Sequence, residues 1–428
     1  MRILMLSQFY SPFIGGEAIH VRSLSAELAS RGHDVAVVTL WHQDLAPFEL
    51  DGSVRVYRIR SSLRRLPWLF SNSERRRSAP FPDPEVMLAL RGIIARERPE
   101  IVHAHNWLVH SFLPLKVWSG ARLVVTLHNY NLVCVNTSLL YHGTFCNGPG
   151  FTKCLGCAAH FYGMAKGIPL VLCNQVMSPI ERSLVNMFLP VSQAAAVGNG
   201  LVGSRQPFQV IPNFMPDDGS SLQGDFEPYL PQLPAEDYLL FVGSLNFQKG
   251  VDVLLRAYAN LTNAPALVLI GYQTPDWPLL SEACPANVFV LKDWPRYAVM
   301  EAWRRSLIAL APSIGPETFG MAVMEAMWAG RPVIASRIGG LVDLVVDGET
   351  GLLVEPGNPS ALQLAIERLL AHPELRSRMG LAASRRVIEF QASTIVPRIE
   401  HVYKELLQRA NPSQENSPRS DSVATGKA

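Results

Sequence analysis

The chain has 428 residues, 48% of them hydrophobic, and a formal net charge of +2. That length supports two or three domains with buried cores, and a charge balance so even excludes a globally basic nucleic-acid binder. No uninterrupted apolar run reaches the roughly 18 residues of a membrane span, and Met1 to Ser7 is too short for a signal peptide; a cytoplasmic protein is expected, free or at the inner face of the membrane.

A first strand, Ile3 to Ser7, leads through F-Y-S-P-F-I-G-G into a helix with apolar positions at Val21, Leu24, Leu28 and Ala29, closed by Gly32. His33 to Leu40 is the next strand, so the unit is β-α-β, and its paired Gly15 and Gly16 allow close backbone approach to a phosphate or sugar. A paired glycine alone is more often only a loop. No G-x-G-x-x-G occurs, which argues against a dinucleotide oxidoreductase.

Residues 58–77 hold seven Arg against one Glu around Leu66, Trp68, Leu69 and Phe70. The mixture suits peripheral contact with an anionic membrane; a solvated basic loop accounts for it equally simply. Two strands then carry histidines, Ile101 to Trp107 and Leu123 to Tyr130. His103, His105 and His128 fall at strand C-terminal ends, where open α/β sheets bind ligands, although such a histidine is commonly just hydrogen-bonded in a loop.

Cys134, Cys146, Cys154 and Cys157 follow within a short span, ending in a C-x2-C pair. Four converging thiolates make a structural zinc site. The irregular spacing leaves buried reduced thiols as the alternative, with disulfides less expected in a chain lacking a secretory signal. Strands at Met187 to Ser192 and Phe208 to Phe214 close the first domain, and Pro216 to Pro234 is rich in Pro, Gly, Ser and Asp, as a linker should be.

A second sheet begins at Tyr238, followed by a loop with Lys249-Gly250 and an amphipathic helix. Strands Ala266 to Gly271, Val288 to Leu291 and Leu307 to Pro312 lead to the stretch Pro312 to Gly340. There a Pro/Gly loop carries Glu317, a helix starting near Phe319 or Gly320 carries Glu325, Gly330 stops it, and Pro332 to Ser336 is a strand. The helix N-terminus, with backbone at Thr318, Phe319, Gly320 and Met321, is suited to hold a diphosphate. Glu325 lies roughly 8 Å further along the axis, so one carboxylate can meet a sugar and the other a ribose. On an arbitrary helix, two such glutamates are more often exposed end charges.

The surrounding pattern resembles a known family. Glu317 and Glu325 separated by seven residues, then A-G-R-P-V-I-A-S-x-x-G-G and D-G-x-x-G-L-L-V-x-P, resemble the retaining glycosyltransferases of the GT-B fold, family 4 (glycosyl transferases group 1). The resemblance implies an α/β GT-B architecture, in which two Rossmann-like doubly wound domains face each other across a cleft. It implies that Glu325 binds the donor ribose, Glu317 contacts the donor sugar, Lys249 meets the diphosphate, and Gly15, Gly16 and Gly271 belong to the donor site. His128 would lie beside the donor sugar and, with Glu317, form the catalytic pair. Family members commonly place an Arg where this chain has Ser244, so one expected cation is missing.

The domains expected are 1–214, binding acceptor and carrying a Cys-rich insertion at 131–160; a linker, 215–236; 237–392, binding a nucleoside-diphosphate sugar; a helix, 393–409, crossing back; and a disordered tail, 410–428. No D-x-D occurs, so no carboxylate-held catalytic metal is expected and no cofactor beyond the donor. The implied function is retaining, metal-independent transfer of a sugar from a UDP- or GDP-type donor to a hydroxyl acceptor (a lipid-linked sugar, a glycan or a small molecule) in glycolipid, polysaccharide or glycoconjugate synthesis. The alternative is a non-catalytic sugar-nucleotide-binding or assembly subunit of the same fold.

Overall fold

The computed structural model describes all residues except 14, 43, 66–77, 79, 142–143, 218–223, 276, 283 and 410–428, and all side chains there except that of residue 64. The expected tail and most of the basic, apolar stretch at 58–77 therefore lie outside the described residues.

Two twisted sheets organise the chain. In the first, β1 (Arg2–Leu6), β2 (Asp34–Leu40), β3 (Phe48–Asp51), β4 (Val54–Ile59), β5 (Ile101–Ala104), β6 (Arg122–Leu127) and β9 (Met187–Pro190) stand in the order β3-β4-β2-β1-β5-β6-β9. A small antiparallel pair, β7 (Leu140–Tyr141) and β8 (Thr144–Phe145), lies apart from it. In the second sheet, β10 (Tyr238–Val242), β11 (Ala266–Ile270), β12 (Val288–Leu291), β13 (Ile308–Ala311), β14 (Val333–Ser336) and β15 (Gly351–Val354) take the order β12-β11-β10-β13-β14-β15.

Both sheets are parallel apart from the β3–β4 hairpin. Their central strands are continuous apolar runs such as Val35 to Val38, buried because helices cover both faces. Helix α1 (Gly16–Ser30) follows β1 and buries Val21, Leu24 and Leu28 on one stripe. It ends at Gly32, whose φ of 83° is left-handed. Helix α2 (Pro84–Glu97) starts on a cap in which Asp83 accepts from the Val86 amide at 3.2 Å, with Pro84 at its first position. Helices α3 (Phe151–Tyr162) and α4 (Met164–Leu184) form a hairpin behind the cysteine segment.

In the second half, α5 (Val251–Ala259), α6 (Arg296–Arg305), α7 (Met321–Trp328), α8 (Pro359–Ala371) and α9 (Pro373–Arg386) flank the sheet. Helix α10 (Ala392–Gln408) returns to the first sheet, where Ile395, Ile399, Val402 and Tyr403 share a buried cluster with Ile3, Met5 and Leu24. Its start is tied to the segment between the two sheets: Met215 donates to the Phe390 carbonyl and Ala392 donates back to Met215, both at 2.9 Å.

Two expectations are corrected here. Residues 208–214 are not a strand; a single bridge joins Phe208 to Phe188, and Ile211 and Phe214 fill the core under α10 instead. Arg58 does not belong to a basic surface. It is buried in β4, 2.5 Å from Glu49 and 3.0 Å from the Ser11 carbonyl. Arg60 lies over the Trp41 ring and Arg65 pairs with Glu85, so these cations are already engaged within the fold.

Candidate active site

In each sheet the strand order reverses direction between two neighbours, and loops there diverge to leave a crevice at the strand C-termini. In the second sheet that point lies between β10 and β13, which pair directly (Leu240 with Ala309). Lys249 follows β10 and Glu317 follows β13, so topology alone brings them to one place. The contact is then fixed locally. Ile314 and Gly315 both donate to the Gln248 carbonyl, at 3.0 and 2.9 Å, and Gly250, at φ 69°, lies so close under the Pro312 carbonyl that a Cβ would not fit. The Lys249 ammonium pairs with Glu317 Oε1, which also accepts from Ser313 Oγ at 2.8 Å. Burial by itself would raise the Glu317 carboxyl, yet Lys249 and Ser313 hold it below its ordinary value.

The helix at this site, α7, begins at Met321, one or two residues later than expected, with Gly320 as its cap at φ 106°. Glycine is required there by backbone angle and by space, since a Cβ would meet Leu341 Cδ2 at 2.6 Å. Gly339 and Gly340 pass against the Glu317 and Thr318 carbonyls too closely for any side chain, and Gly340 donates to the Glu317 carbonyl at 2.7 Å. The loop that presents Glu317 is thus held from below. Phe319 points into the core, 2% exposed and 6.1 Å from the Phe390 ring, so only its backbone can serve a ligand.

Glu325 is 7% exposed and bonded at 2.8 Å to Arg296 Nε. Arg296, at the start of α6, also reaches Met215 Sδ at 3.0 Å, so it joins the carboxylate to the segment between the two sheets. No spacing rule in the sequence points to it. Gly271 closes β11, and the space a side chain would need is filled by the Gly243 carbonyl; its role in the structure is packing. Ser244 brings no charge to the site, and its carbonyl accepts the Asn246 amide at 3.0 Å.

The first sheet reverses between β1 and β5. A cavity of about 220 Å³ opens there, lined by Gly15, Gly16, Glu17, Asn106 and Trp107 among others. Gly15 faces open space, while a Cβ on Gly16 would lie 3.5 Å from Met321 Cγ. The glycine turn therefore meets the first residue of α7. Thr318 Oγ1 donates to the His128 carbonyl at 2.7 Å, a second tie across the cleft. Glu17, in the first turn of α1, accepts from Asn106 Nδ2 and from Ser7 Oγ. It is a third cleft carboxylate whose only sequence signal was its place directly after the paired glycines.

Strands β5 and β6 end at Ala104 and Leu127, so His105 and His128 stand at the strand exits, and His20 of α1 completes a cluster. His105 Nδ1 and His128 Nε2 are 3.0 Å apart, and the His20 and His128 rings are 4.9 Å apart. Burial, seconded by the neighbouring imidazoles, holds His105 and His128 well below the ordinary histidine value. Burial lowers His20 to about 4 and, with His20 nearby, His103 to about 3. His103 is not part of the cleft. It is fully buried between Thr126 Oγ1 and the Tyr403 hydroxyl, at 2.7 and 2.6 Å, and anchors α10.

Among the described residues, one group of three or more metal-type side chains has its ligand atoms within 4.8 Å of one another: His20, His105 and His128. Neutral imidazoles of this kind suit a borderline-soft ion rather than Mg²⁺. The four cysteines line one pocket without converging to that degree. Their thiols are hydrogen-bonded individually: Cys134 to Asn136 Oδ1 at 2.7 Å, Cys146 to the Gly148 carbonyl at 3.3 Å, and Cys154 accepting from the Gly150 amide at 3.4 Å. Burial pushes the Cys134 and Cys157 thiols up. This arrangement fits protonated thiols better than four thiolates on zinc.

Comparison with known proteins bears on both halves. The family model "Glycosyltransferase Family 4" matches residues 14–173, and "Glycosyl transferases group 1" matches 230–386. Glycogen synthase of Mycobacterium tuberculosis is 28% identical over 425 residues, 94% of each chain. D-inositol 3-phosphate glycosyltransferase of Corynebacterium diphtheriae is 32% identical over 178 residues, 39% of this chain and 42% of its own. Sucrose-phosphate synthase from Thermosynechococcus elongatus superposes with a TM-score of 0.73 at 21% identity, over 95% of this chain and 99% of that one. HepE of Anabaena, in complex with UDP and glucose, gives 0.68 at 17% identity, over 95% and 100%.

Proposed function

Because the chain belongs to the GT-B glycosyltransferases of the group 1 and family 4 type, we propose that it is a retaining, metal-independent enzyme that moves a sugar from a nucleoside-diphosphate donor to a hydroxyl acceptor. The observation that carries this reading is the meeting of Lys249 and Glu317 at the N-terminus of α7, with Gly16 against Met321 and His128 tied to Thr318 across the cleft.

The donor diphosphate would lie on the amides after Gly320, opposed by the Lys249 ammonium, which together stabilise the charge that develops as the glycosidic bond breaks. Glu325, held by Arg296, would take the ribose hydroxyls, and Glu317 the sugar. His128 is neutral near pH 7 and can donate to, or accept from, a hydroxyl of the transferring sugar. The acceptor would enter through the cavity beside Glu17, Asn106 and Trp107. The sequence offers no D-x-D, which is why the charge stabilisation is assigned to Lys249 and the helix terminus. HepE was solved with UDP and glucose and starch synthase IV of Arabidopsis thaliana with ADP and acarbose; UDP- and ADP-sugars are therefore the first donors to try, and GDP-sugars next.

A panel of nucleotide sugars screened by thermal shift, followed by nucleoside diphosphate release from the best binder, tests the assignment. Stabilisation and release are expected. Stabilisation without release, with or without acceptor extracts, would favour the non-catalytic subunit, for which Ser244 in place of a cation is the supporting observation.

A further inference from the structure

Helix α4 is apolar on the wrong side. Its buried face includes Gly167, Asn174 and Glu181 beside Val171 and Met177, and Glu181 is 2.9 Å from His110 Nε2. Its outer face presents Met164, Ile168, Leu172, Val176 and Ile180, one every fourth residue and all exposed, Met164 by 72% and Val176 by 63%. These positions make a ridge about 24 Å long that winds about 160° around the outer side of the helix. Pro169 and Pro179 stand exposed beside it, and Phe161, at the end of α3, extends it. A helix facing water has the opposite pattern, with its charged side chains outward.

The charged side chains of 151–184 are Lys153, Lys166, Glu181 and Arg182. Glu181, the one acid, is 2% exposed and bonded inward, so the charge this hairpin offers outward is cationic. Lys166 stands near the N-terminal end of the ridge, where its long side chain can reach headgroups while the ridge sits deeper; Arg182, near the other end, donates instead to the Asn199 and Gly200 carbonyls, at 2.6 and 3.4 Å. A second copy on the same face would bring cations against cations with no acid to meet them. The inner side of the hairpin, through Ala158 and Val171, packs on Trp107 and Val135, and Trp107 lines the cleft cavity.

We propose that the α3–α4 hairpin docks on an anionic membrane, with the α4 ridge in the headgroup boundary, and so holds the cleft beside Trp107 toward a lipid-borne acceptor. The second half of this statement rests on the glycosyl-transfer reading; the docking itself does not.

The test is co-sedimentation of the full chain with phosphatidylcholine vesicles, with and without phosphatidylglycerol, for the wild type and for a variant carrying Ile168→Ser, Leu172→Ser and Val176→Ser. Binding to the anionic vesicles is expected, weakened about tenfold or more in the variant, with unchanged thermal melting and unchanged nucleoside diphosphate release from a soluble donor. No vesicle binding by the wild type, or equal binding by the variant, overturns the proposal. So does a ridge that changes only the oligomeric state in light scattering. Vesicle binding that follows the ridge in a chain releasing no nucleoside diphosphate from any donor overturns the transfer reading and leaves the docking standing.

Discussion

The Lys249 ammonium is bonded to Glu317 Oε1, so the cation assigned to the donor diphosphate is paired with the carboxylate assigned to the donor sugar. A bound diphosphate must share or displace that pair. Lys249→Ala removes the cation and leaves the partly buried Glu317 charge without it. It is expected to lower kcat/KM by about 10² or more. Glu317→Gln, which keeps shape but not charge, should lower kcat more than it changes donor affinity. Steady-state kinetics with the donor found by screening decide it, and near-wild-type turnover in Lys249→Ala would remove Lys249 from the mechanism.

Arg296 and Glu325 form a second pair, with side chains 18% and 10% exposed. Removing one partner of a pair this sheltered leaves a charge with little water. Arg296→Ala is therefore expected to cost about 3 kcal/mol of stability and to raise KM for the donor, because Glu325 loses the group that orients it. Glu325→Ala should cut kcat/KM by about 10² through lost ribose contacts. Denaturant melts and donor titrations separate the two effects.

The loop carrying Glu317 depends on Gly340. An alanine there would bring its Cβ to 2.8 Å from Phe319 Cα and closer still to the Thr318 carbonyl, both backbone atoms with little room to yield. Gly340→Ala is expected to destabilise by about 1–3 kcal/mol and to weaken donor binding in calorimetry. Gly348 is the control: at φ 79° with nothing within 4 Å, Gly348→Ala should add backbone strain of about 1 kcal/mol and leave donor binding alone.

Acid should unfold the chain through its histidines before its carboxylates. His20 titrates near 4 in the fold against 6.5 in the open chain. The unfolded state thus binds the extra proton first, and stability falls as pH drops from about 6.5 toward 4. That difference corresponds to on the order of 3 kcal/mol for His20, with His103, His105 and His128 acting in the same direction. Glu317, held low, adds its loss below the ordinary carboxylate range. Melting temperature against pH should decline through this window, and His20→Leu should flatten the upper part of the curve.

All six cysteines are free in the structure. Thiol titration of the denatured, unreduced protein is expected to count six, and metal analysis after chelator-free purification to find well under one zinc per chain. A full equivalent of zinc that is lost in a Cys154→Ser, Cys157→Ser variant would show that the segment between Cys134 and Cys157 closes around metal more tightly than its hydrogen-bonded thiols indicate, whereas zinc retained by that variant would point to His20, His105 and His128.

Much of the fold is legible from periodicity. Apolar runs ended by glycine mark the central strands and α1, and the run from Pro312 to Gly340 declares loop, helix and strand in order. The β3–β4 hairpin around Gly52 and the α3–α4 hairpin are less legible. Arg58 in the first reads as a surface charge although it is buried against Glu49. The ridge of α4 has the spacing of an apolar stripe, and nothing in that spacing tells that it points out. Spacing reports which residues share a face but not which way that face turns.

The same division runs through the site. The sequence by itself determined the local devices: a glycine-capped helix N-terminus, two glutamates on one short segment, and a Lys-Gly turn after a strand. Each of these is set by backbone geometry within a few residues. Only the tertiary structure decided what meets what, because β10 and β13, and β1 and β5, become neighbours through hydrogen bonds between segments far apart in the chain. That pairing puts Lys249 on Glu317 and His20 among the strand-end histidines, and the meeting of the two halves across the cleft puts Gly16 on Met321. It also gives Glu325 a partner, Arg296, which nothing in its own neighbourhood of the chain foretells.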